Sequence, residues 1–553
     1  MRTLIHAVCC SCSNHKSYAA PMTADAAPVF TDAKSCAQWL QGLQLIDVGL
    51  AHGRLLGELE ELNGFEMPAG ERIKVLELLR EAVLFVQSEQ SRKFSGKPVP
   101  LTMQERELFL NVIDLWNAFA LGWQHCLENL VQGTGGVSGQ AAIICQRSMW
   151  SLGLVLCEHY KVYQEFSAGQ WRRLNQVFAF AESSGVTGQI VTHPTTKSAA
   201  GSSCAETFAQ IQLLALANPN ENTPRQQALI AHWTARWAKK VKFSAVPQKD
   251  SAGTSLGIDL ESDASACRSA KADGRIIYLE TSAVGKSLRK RMTALKAGET
   301  PESLNLGPEL TEGLAAQMMV TLHQQWCEDK TARQIPRRNV SEHAQVCAGL
   351  AATYYFITGR PFDTQSGTAT LTWQQREHFE TFGQLSTRAN DKYAVTHGFA
   401  LERWRILDES LSGHRLERPP DCGTGRFLHQ QLLAVRPMDA PLFSLCSVRW
   451  ISLSENQTLR LGTRTMPGLA KGIAARLGGL NLYSEKFLPA LMLPALPALR
   501  SPATLILPAG WFRPRRLIEI QGGALEPGLA NQVLLTAALE RGSDFERCTF
   551  EPA

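Results

Sequence analysis

Apolar residues between positions 37 and 245 recur at intervals of three and four, which is the spacing of side chains on one face of an α-helix. Helix starts are also visible: Thr102-x-x-Glu105 fits a capping box, and Thr223 followed by Pro224 fits an N-cap and the first helical position. One apolar face comprises Ile73, Leu76, Val83 and Val86. The pattern predicts about seven helices over residues 37–245, preceded by a tail over residues 1–36 that we expect to be disordered.

The composition changes after this helical segment. Residues 246–273 are rich in Ser, Ala, Asp and Lys and hold few large apolar side chains, so we predict a linker there. Residues 274–330 are predicted to form a strand and helices that lead into the next domain. Within them, Lys286–Leu295 is a basic helical run. We interpret this run as a solvated face, with a phosphate-binding patch as the alternative.

A β-pattern begins near residue 402. Trp404 and Ile406 supply alternating apolar positions, and Asp408, Ser410 and Gly413 then form a D-x-S-x-x-G turn. Asp and Ser can accept backbone N–H bonds in a turn, and glycine fits where a Cβ would clash. Further short β-like runs follow at Gln430–Val435, Phe443–Ile451 and Thr458–Leu461. Their number and spacing are typical of a small antiparallel barrel.

Three motifs in this region occur in a recognisable order. An R-x-x-x-R pair, Arg333 and Arg337, is followed at once by Arg338 and then by a β-like run, Ala344–Ile357. The D-x-S-x-x-G turn comes next, and a strand carrying V-R-W follows it. Together they resemble the PilZ domain, a bacterial receptor module for cyclic di-GMP. The resemblance implies a PilZ-like barrel over residues 331–482.

The distance between the first two motifs is longer than is usual in that family, because 71 residues separate Arg337 from Asp408. We interpret residues near 359–394 as an insertion with its own helical piece around Trp373–Phe382. A competing register starts the domain at Arg388, where Arg388 and Lys392 form a degenerate R-x-x-x-K. We prefer the first register, because it keeps both arginines and precedes a longer β-like run.

By this resemblance, Arg333 and Arg337 clamp cyclic di-GMP, with Arg338 as an alternative to either. Asp408, Ser410 and Gly413 would form the barrel-side surface of the site. The chemistry is suitable, because arginine can hold a phosphate or the guanine O6/N7 edge with two bonds and can stack on a purine. A carboxylate can accept guanine N–H groups, and Ser and turn N–H groups can meet phosphate oxygens.

The C-terminal segment has a different pattern. Residues 483–553 contain apolar runs interrupted by proline, which favours short strands over one long helix. We predict a small β-rich C-terminal module there. The fold class is therefore α+β and multidomain, with a helical N-terminal domain, a PilZ-like antiparallel β-barrel and this module. At 553 residues, the chain is long enough for several domains.

Composition and the motifs that are missing limit the classes of function that this chain can have. A net charge of +5 with dispersed basic residues does not indicate a nucleic-acid polymer as partner, and no apolar run is long enough to predict a membrane span. The 14 scattered cysteines fit a reducing cytoplasm and form no convincing metal motif. No catalytic motif is present, so we predict neither an enzyme nor a cofactor requirement.

The interpretation is a cytoplasmic bacterial cyclic di-GMP receptor that couples ligand binding to an unidentified protein partner, in motility, pilus or biofilm control. The helical domain would carry the partner contact. The alternative is a scaffold or chaperone-like interaction protein whose PilZ-like barrel no longer binds the ligand. A titration with cyclic di-GMP would separate the two.

Overall fold

The computed structural model describes residues 28–192, 201–247, 256–268, 274–328, 337–362, 394–478, 486–522 and 531–553. They belong to two compact units, one within residues 1–97 and 101–332 and the other within 98–100 and 333–553. Among the helices in these ranges, none is both long and apolar enough to cross a membrane.

The first unit is mainly helical, as the three-and-four spacing predicts. Its helices are α1 (Ala33–Gln41), α2 (Val48–Gly64), α3 (Ala69–Ser91), α4 (Met103–Gln132), α5 (Ala141–Lys161), α6 (Gln170–Ser183), α7 (Cys204–Leu216), α8 (Pro224–Trp237), α9 (Ser282–Lys296) and α10 (Glu312–Cys327). The capping box of Thr102 and Glu105 opens α4, and Thr223 caps α8 with Pro224 at its start. Two apolar cores hold these helices together. The prediction of a tail over residues 1–36 is wrong for residues 28–36, because Phe30 is fully buried and α1 begins at Ala33.

A three-stranded antiparallel sheet completes the first unit, in the order β1-β3-β2. Its strands are β1 (Lys242–Ser244), β2 (Leu256–Asp259) and β3 (Ile276–Glu280). The predicted linker over 246–273 is therefore wrong for residues 256–268. Leu256, Ile258 and Ala266 are buried in one of the helical cores, and Asn175 donates to the carbonyls of Asp259, Ser262 and Ala264. A few apolar side chains at alternate positions are enough to hold this polar segment.

The predicted role of residues 274–330 also changes. Ile277 of β3, Leu288 of α9 and Trp326 of α10 lie in the same core as the preceding helices. The strand and helices of this region are therefore part of the first unit and not a lead-in to the barrel.

The first barrel closes six antiparallel strands in the order β4-β5-β6-β9-β8-β7. These are β4 (Arg338–Ala348), β5 (Glu402–Ser410), β6 (Gly413–Arg418), β7 (Leu432–Pro437), β8 (Ser444–Leu453) and β9 (Leu459–Thr465). Ala344 of β4 pairs with Trp404 of β5, so the β-like run after the R-x-x-x-R pair lies beside the strand of the D-x-S-x-x-G motif, as the preferred register requires. Ala344–Ile357 is not one strand, however. Gly349 ends the strand, and helix α11 (Leu350–Thr358) follows it.

The C-terminal module is a second closed barrel, larger than the small module predicted. Its strands are β10 (Lys471–Leu477), β11 (Leu488–Leu493), β12 (Thr504–Pro508), β13 (Leu517–Gln521), β14 (Gln532–Arg541) and β15 (Phe545–Pro552). They close in the order β10-β11-β12-β15-β14-β13, which repeats the strand order of the first barrel. The second barrel starts at Lys471, inside the range predicted for the first, since β10 pairs with β11 and β13.

The two barrels share an apolar core, which includes Tyr354 of α11, Leu432 of β7 and Leu491 of β11. Polar contacts reinforce it at one place: Asp544 accepts the Leu432 N–H at 2.9 Å, and the Ser543 N–H donates to the Gln430 carbonyl at 3.0 Å. The predicted fold class, a helical domain followed by antiparallel barrel structure, is confirmed. Most of the predicted insertion, including Trp373–Phe382 and Arg388, lies outside the described residues.

Candidate ligand-binding site

The β5–β6 hairpin positions the D-x-S-x-x-G residues. Asp408 follows Glu402, Trp404 and Ile406 in the alternation of buried positions along β5, and it is only 6% exposed. A β-bulge lies between Ile406 and Asp408, so that Asp408 faces Arg415 across the hairpin and Asn339 on the other side. A bulge redirects a strand locally and is common beside functional sites. A carboxylate at such a buried position requires charged or hydrogen-bonding partners.

Two arginines supply those partners. Arg337 Nη1 lies 2.5 Å from Asp408 Oδ1, and Arg415 Nε lies 2.9 Å from Asp408 Oδ2. Arg337 is 28% exposed and Arg415 is 42% exposed, so both guanidinium groups reach from solvent to the buried carboxylate. The cluster carries two positive charges against one negative charge and can attract a further anion.

A second ion pair lies next to this cluster. Arg338 pairs with Glu409, with Nη2 2.6 Å from Glu409 Oε1, and the two residues face each other across β4 and β5. His414 lies opposite Glu409 in the hairpin. Burial is the main cause that lowers the pKa of His414, the charge of Arg337 lowers it further, and Glu409 opposes the effect. His414 therefore adds no charge to the cluster at neutral pH.

Ser410 and Gly413 shape the turn. The Ser410 hydroxyl donates to the Gly413 carbonyl at 3.3 Å and lies 3.1 Å from the Ser412 hydroxyl, so its present contacts are within the turn. A Cβ on Gly413 would lie 1.9 Å from the Thr463 carbonyl oxygen. Glycine is therefore required here because β9 passes too close for any side chain.

The structure brings Arg337, Arg338, Asp408, Ser410 and Gly413 to one end of the first barrel. Arg333, the sixth residue predicted for the site, lies outside the described residues. Direct contact of these six residues with a ligand stays a prediction.

Arg415 and Glu409 are not among the site residues predicted from the sequence. Arg415 was hidden because its role depends on the hairpin register, and the bulge at Leu407 shifts that register by one residue. The tight turn at Gly413 was the available signal, since it places the strand that follows directly against β5. Among the described residues, no group of three or more His, Cys, Asp and Glu side chains could hold a metal ion.

The architecture and this cluster together define a class: a helical unit followed by two barrels of equal strand order, the first with an arginine-rich site suited to an anionic ligand. Two family models agree with this organisation. The model for the N-terminal domain of the cyclic-di-GMP receptor FimW matches residues 34–248, and the model for the FimW C-terminal beta-barrel domain matches residues 473–553. The second match coincides with the second barrel.

A curated relative is similar over most of the chain. The cyclic-di-GMP receptor FimW of Pseudomonas aeruginosa is 23% identical over 557 aligned positions, which cover 92% of this chain and 89% of the relative. Neither of the two domain models matches the first barrel, which lies between the segments that they match. The alignment with the relative covers 92% of this chain and therefore includes the first barrel. These matches do not bear the PilZ name, so the PilZ resemblance stays a prediction.

Proposed function

We propose that this chain is a cyclic di-GMP receptor that binds its ligand on the first barrel, at the end formed by β4, β5 and β6. The observation that carries the proposal is the contact of Arg337 with Asp408, which joins the R-x-x-x-R and D-x-S-x-x-G motifs across 71 residues of sequence. The similarity to a curated cyclic-di-GMP receptor along both units supports the same ligand.

Each residue has a chemical role in this proposal. Cyclic di-GMP presents two phosphates and two guanines, and Arg337 and Arg338 carry planar donors that fit either group. Asp408 is the buried acceptor for guanine N–H groups, and Arg415 pairs with it and holds it in place. Gly413 lets β9 pass close to the turn, which fixes the hairpin that carries Asp408. Arg333, four positions before Arg337, where the described segment begins, would provide the second clamp.

Binding requires an exchange of partners. Arg337 and Asp408 are paired with each other, so the ligand replaces the bond between them with a phosphate on the arginine and a guanine edge on the aspartate. Arg415 remains beside Asp408 during this exchange and limits the cost of exposing its charge. The net affinity therefore depends on the difference between two sets of charge-assisted bonds.

The test is a calorimetric titration of the full chain with cyclic di-GMP. A charged hydrogen bond contributes about 1.5–3 kcal/mol, so Arg337→Ala should weaken binding by about ten- to a hundred-fold. Asp408→Ala should weaken it as well. Arg403→Ala is the matched control, because Arg403 is exposed on β5, the strand of Asp408, and the substitution removes the same charge as Arg337→Ala does.

The outcomes are distinct. A linear dinucleotide should bind more weakly than the cyclic one. If the wild-type chain shows no saturable binding up to roughly 100 μM, equivalent to about −5.5 kcal/mol, the receptor proposal is wrong and the scaffold alternative replaces it. If Arg403→Ala weakens binding as much as Arg337→Ala does, the loss of affinity comes from the lower overall positive charge and not from a contact at this site.

We further propose that the receptor acts in the cytoplasm and that its helical unit contacts the output protein. The free thiols of Cys36, Cys126, Cys145 and Cys204 in the helical unit are buried, which fits a reducing compartment. Co-purification with and without cyclic di-GMP, using wild type and Asp408→Ala, would identify a partner whose binding depends on the ligand.

A further inference from the structure

The helical unit contains a cluster of positive charge that the barrel site does not explain. Arg236 lies in the last turn of α8, Lys240 follows α8 in the chain, and Arg291 lies on α9 within the basic run Lys286–Leu295. The Arg236 and Arg291 guanidinium carbons are 5.6 and 6.0 Å from the centroid of the same indole ring, that of Trp237. Two of the three cations therefore lie against one buried tryptophan, and Lys240 joins them because it shares the Ser287 hydroxyl with Arg291.

The hydrogen bonds of these cations reach only neutral groups. Arg236 Nη1 donates to the Asn305 carbonyl at 3.1 Å. Arg291 Nη1 and Lys240 Nζ both donate to the Ser287 hydroxyl, at 2.7 and 3.2 Å. Within the described part of the chain, no carboxylate pairs with any of the three. One hydroxyl shared by two cations cannot neutralise them.

Several donors in the cluster are left without an acceptor. Nε and Nη2 of Arg236 and Nε of Arg291 are buried and have no hydrogen-bond partner among the described residues. Both guanidinium groups lie against the Trp237 ring, so their like charges repel. Burial lowers the pKa of both arginines, and the charge of Arg291 lowers the pKa of Arg236 further. The carboxyl end of α8, and of the short 3-10 turn Ala238–Lys240 that continues it, favours the charges of Arg236 and Lys240, but it satisfies none of these donors.

We propose that Arg236, Lys240 and Arg291 form a second, independent anion site that takes a phosphate-type oxyanion, as free phosphate or as the phosphate of a mononucleotide. A tetrahedral oxyanion supplies several acceptors and a negative charge, which is what these cations lack. The cation–π contacts with Trp237 hold the two guanidinium groups in position when the anion is absent. The site lies within the helical unit and uses none of the barrel residues.

The experiment is a calorimetric titration of the full chain with inorganic phosphate and with GMP, in buffer free of phosphate and sulfate. Wild type should show saturable binding, and Arg291→Gln and Arg236→Gln should each weaken it by about ten-fold or more. Lys290→Gln is the matched control, since Lys290 is exposed on α9 as well and the substitution removes the same charge as Arg291→Gln does. Arg236→Gln and Arg291→Gln should bind cyclic di-GMP as wild type does, which separates this site from the barrel site.

The Lys290→Gln control also accounts for a general effect of phosphate, which stabilises most proteins because it is excluded from their surface. That effect should be the same in Lys290→Gln and Arg291→Gln. Tighter binding of GMP than of phosphate identifies a nucleotide as the source, and equal binding identifies free phosphate. No saturable binding to wild type, or equal binding to Arg291→Gln and Lys290→Gln, overturns the proposal.

Thermal unfolding gives a second test. Phosphate should raise the unfolding temperature of wild type and of Lys290→Gln by more than it raises that of Arg291→Gln, because only the first two keep the site. An equal rise in all three would overturn the proposal.

Discussion

Asp544 gives the sharpest test of the junction between the two barrels. It lies in the β14–β15 turn, where Oδ1 accepts the Leu432 N–H at 2.9 Å. Oδ2 is buried and has no hydrogen-bond partner among the described residues. Burial raises the pKa of Asp544 from 3.8 to about 6, although the Leu432 N–H opposes the rise. The ionised carboxylate is therefore a destabilising element of this junction.

The size and sign follow from proton linkage. A tenfold change in proton affinity corresponds to about 1.4 kcal/mol, so a pKa of about 6 against 3.8 costs roughly 3 kcal/mol of stability above pH 6. The folded state binds this proton more tightly than the unfolded state. Stability is therefore regained as the pH falls through 6 toward 3.8, and lost again as the pH rises. Asp544→Asn keeps an acceptor for the Leu432 N–H and removes the charge, so it should stabilise the barrels by about 1–3 kcal/mol at pH 8.

Hydrogen exchange measured by mass spectrometry on peptides from β7 and β15 would report this stability locally. The ratio of wild-type to Asp544→Asn exchange rates at each pH cancels the intrinsic pH dependence of exchange. The ratio should be largest at pH 7–8 and should decrease by about an order of magnitude toward pH 5. Asp421→Asn is the control, because Asp421 is exposed, and the ratio of wild-type to Asp421→Asn exchange rates should not change with pH. A variant less stable than wild type by a constant amount at every pH would refute the reasoning, because it would show that the carboxylate is stabilised where it lies.

Further predictions concern the first barrel and the helices. Glu402→Gln breaks a buried pair with Arg418, whose Nη1 lies 2.7 Å away, and should cost about 3–5 kcal/mol in urea unfolding of the barrel. Gly413→Ala places a Cβ 1.9 Å from a backbone oxygen and should cost about 1–3 kcal/mol or more, measured by exchange in β5 and β6. By contrast, Gly57→Ala has open space within α2 and should raise the stability of the helical unit by about 0.5–1 kcal/mol in thermal unfolding; no gain would show that packing outweighs helix propensity there.

The sequence was informative where one local pattern determines the structure. Three-and-four spacing and two capping signals located helices, because these depend on neighbouring residues alone. The strand that begins at Arg338 and its pairing with Trp404 were also predictable, because the motifs fixed their order along the chain. Gly349 was the missed signal for the end of that strand, since it has a positive φ of 90° where the chain changes from strand to helix.

Long-range pairing was less accessible. Leu256 and Ile258 lie in a polar stretch, and only the core formed by distant helices shows that they are buried. The closure of the second barrel depends on β10 pairing with β13, which lies some forty residues further along the chain. The ion pairs of Asp408 depend equally on cross-strand register, so sequence spacing identified Arg337 but not Arg415.

The equal strand order of the two barrels shows that the proposed ligand site belongs to a hairpin and not to the barrel fold as such. In the first barrel, only Leu411 and Ser412 separate β5 from β6, and the turn places Arg415 directly on Asp408. The corresponding strands of the second barrel, β11 and β12, are joined by residues 494–503, which contain no Asp and no D-x-S-x-x-G motif. The second barrel therefore repeats the strand order without the acidic acceptor and the two arginines that hold it. Because function resides in such side chains and not in topology, ligand binding in this pair of barrels should be confined to the first.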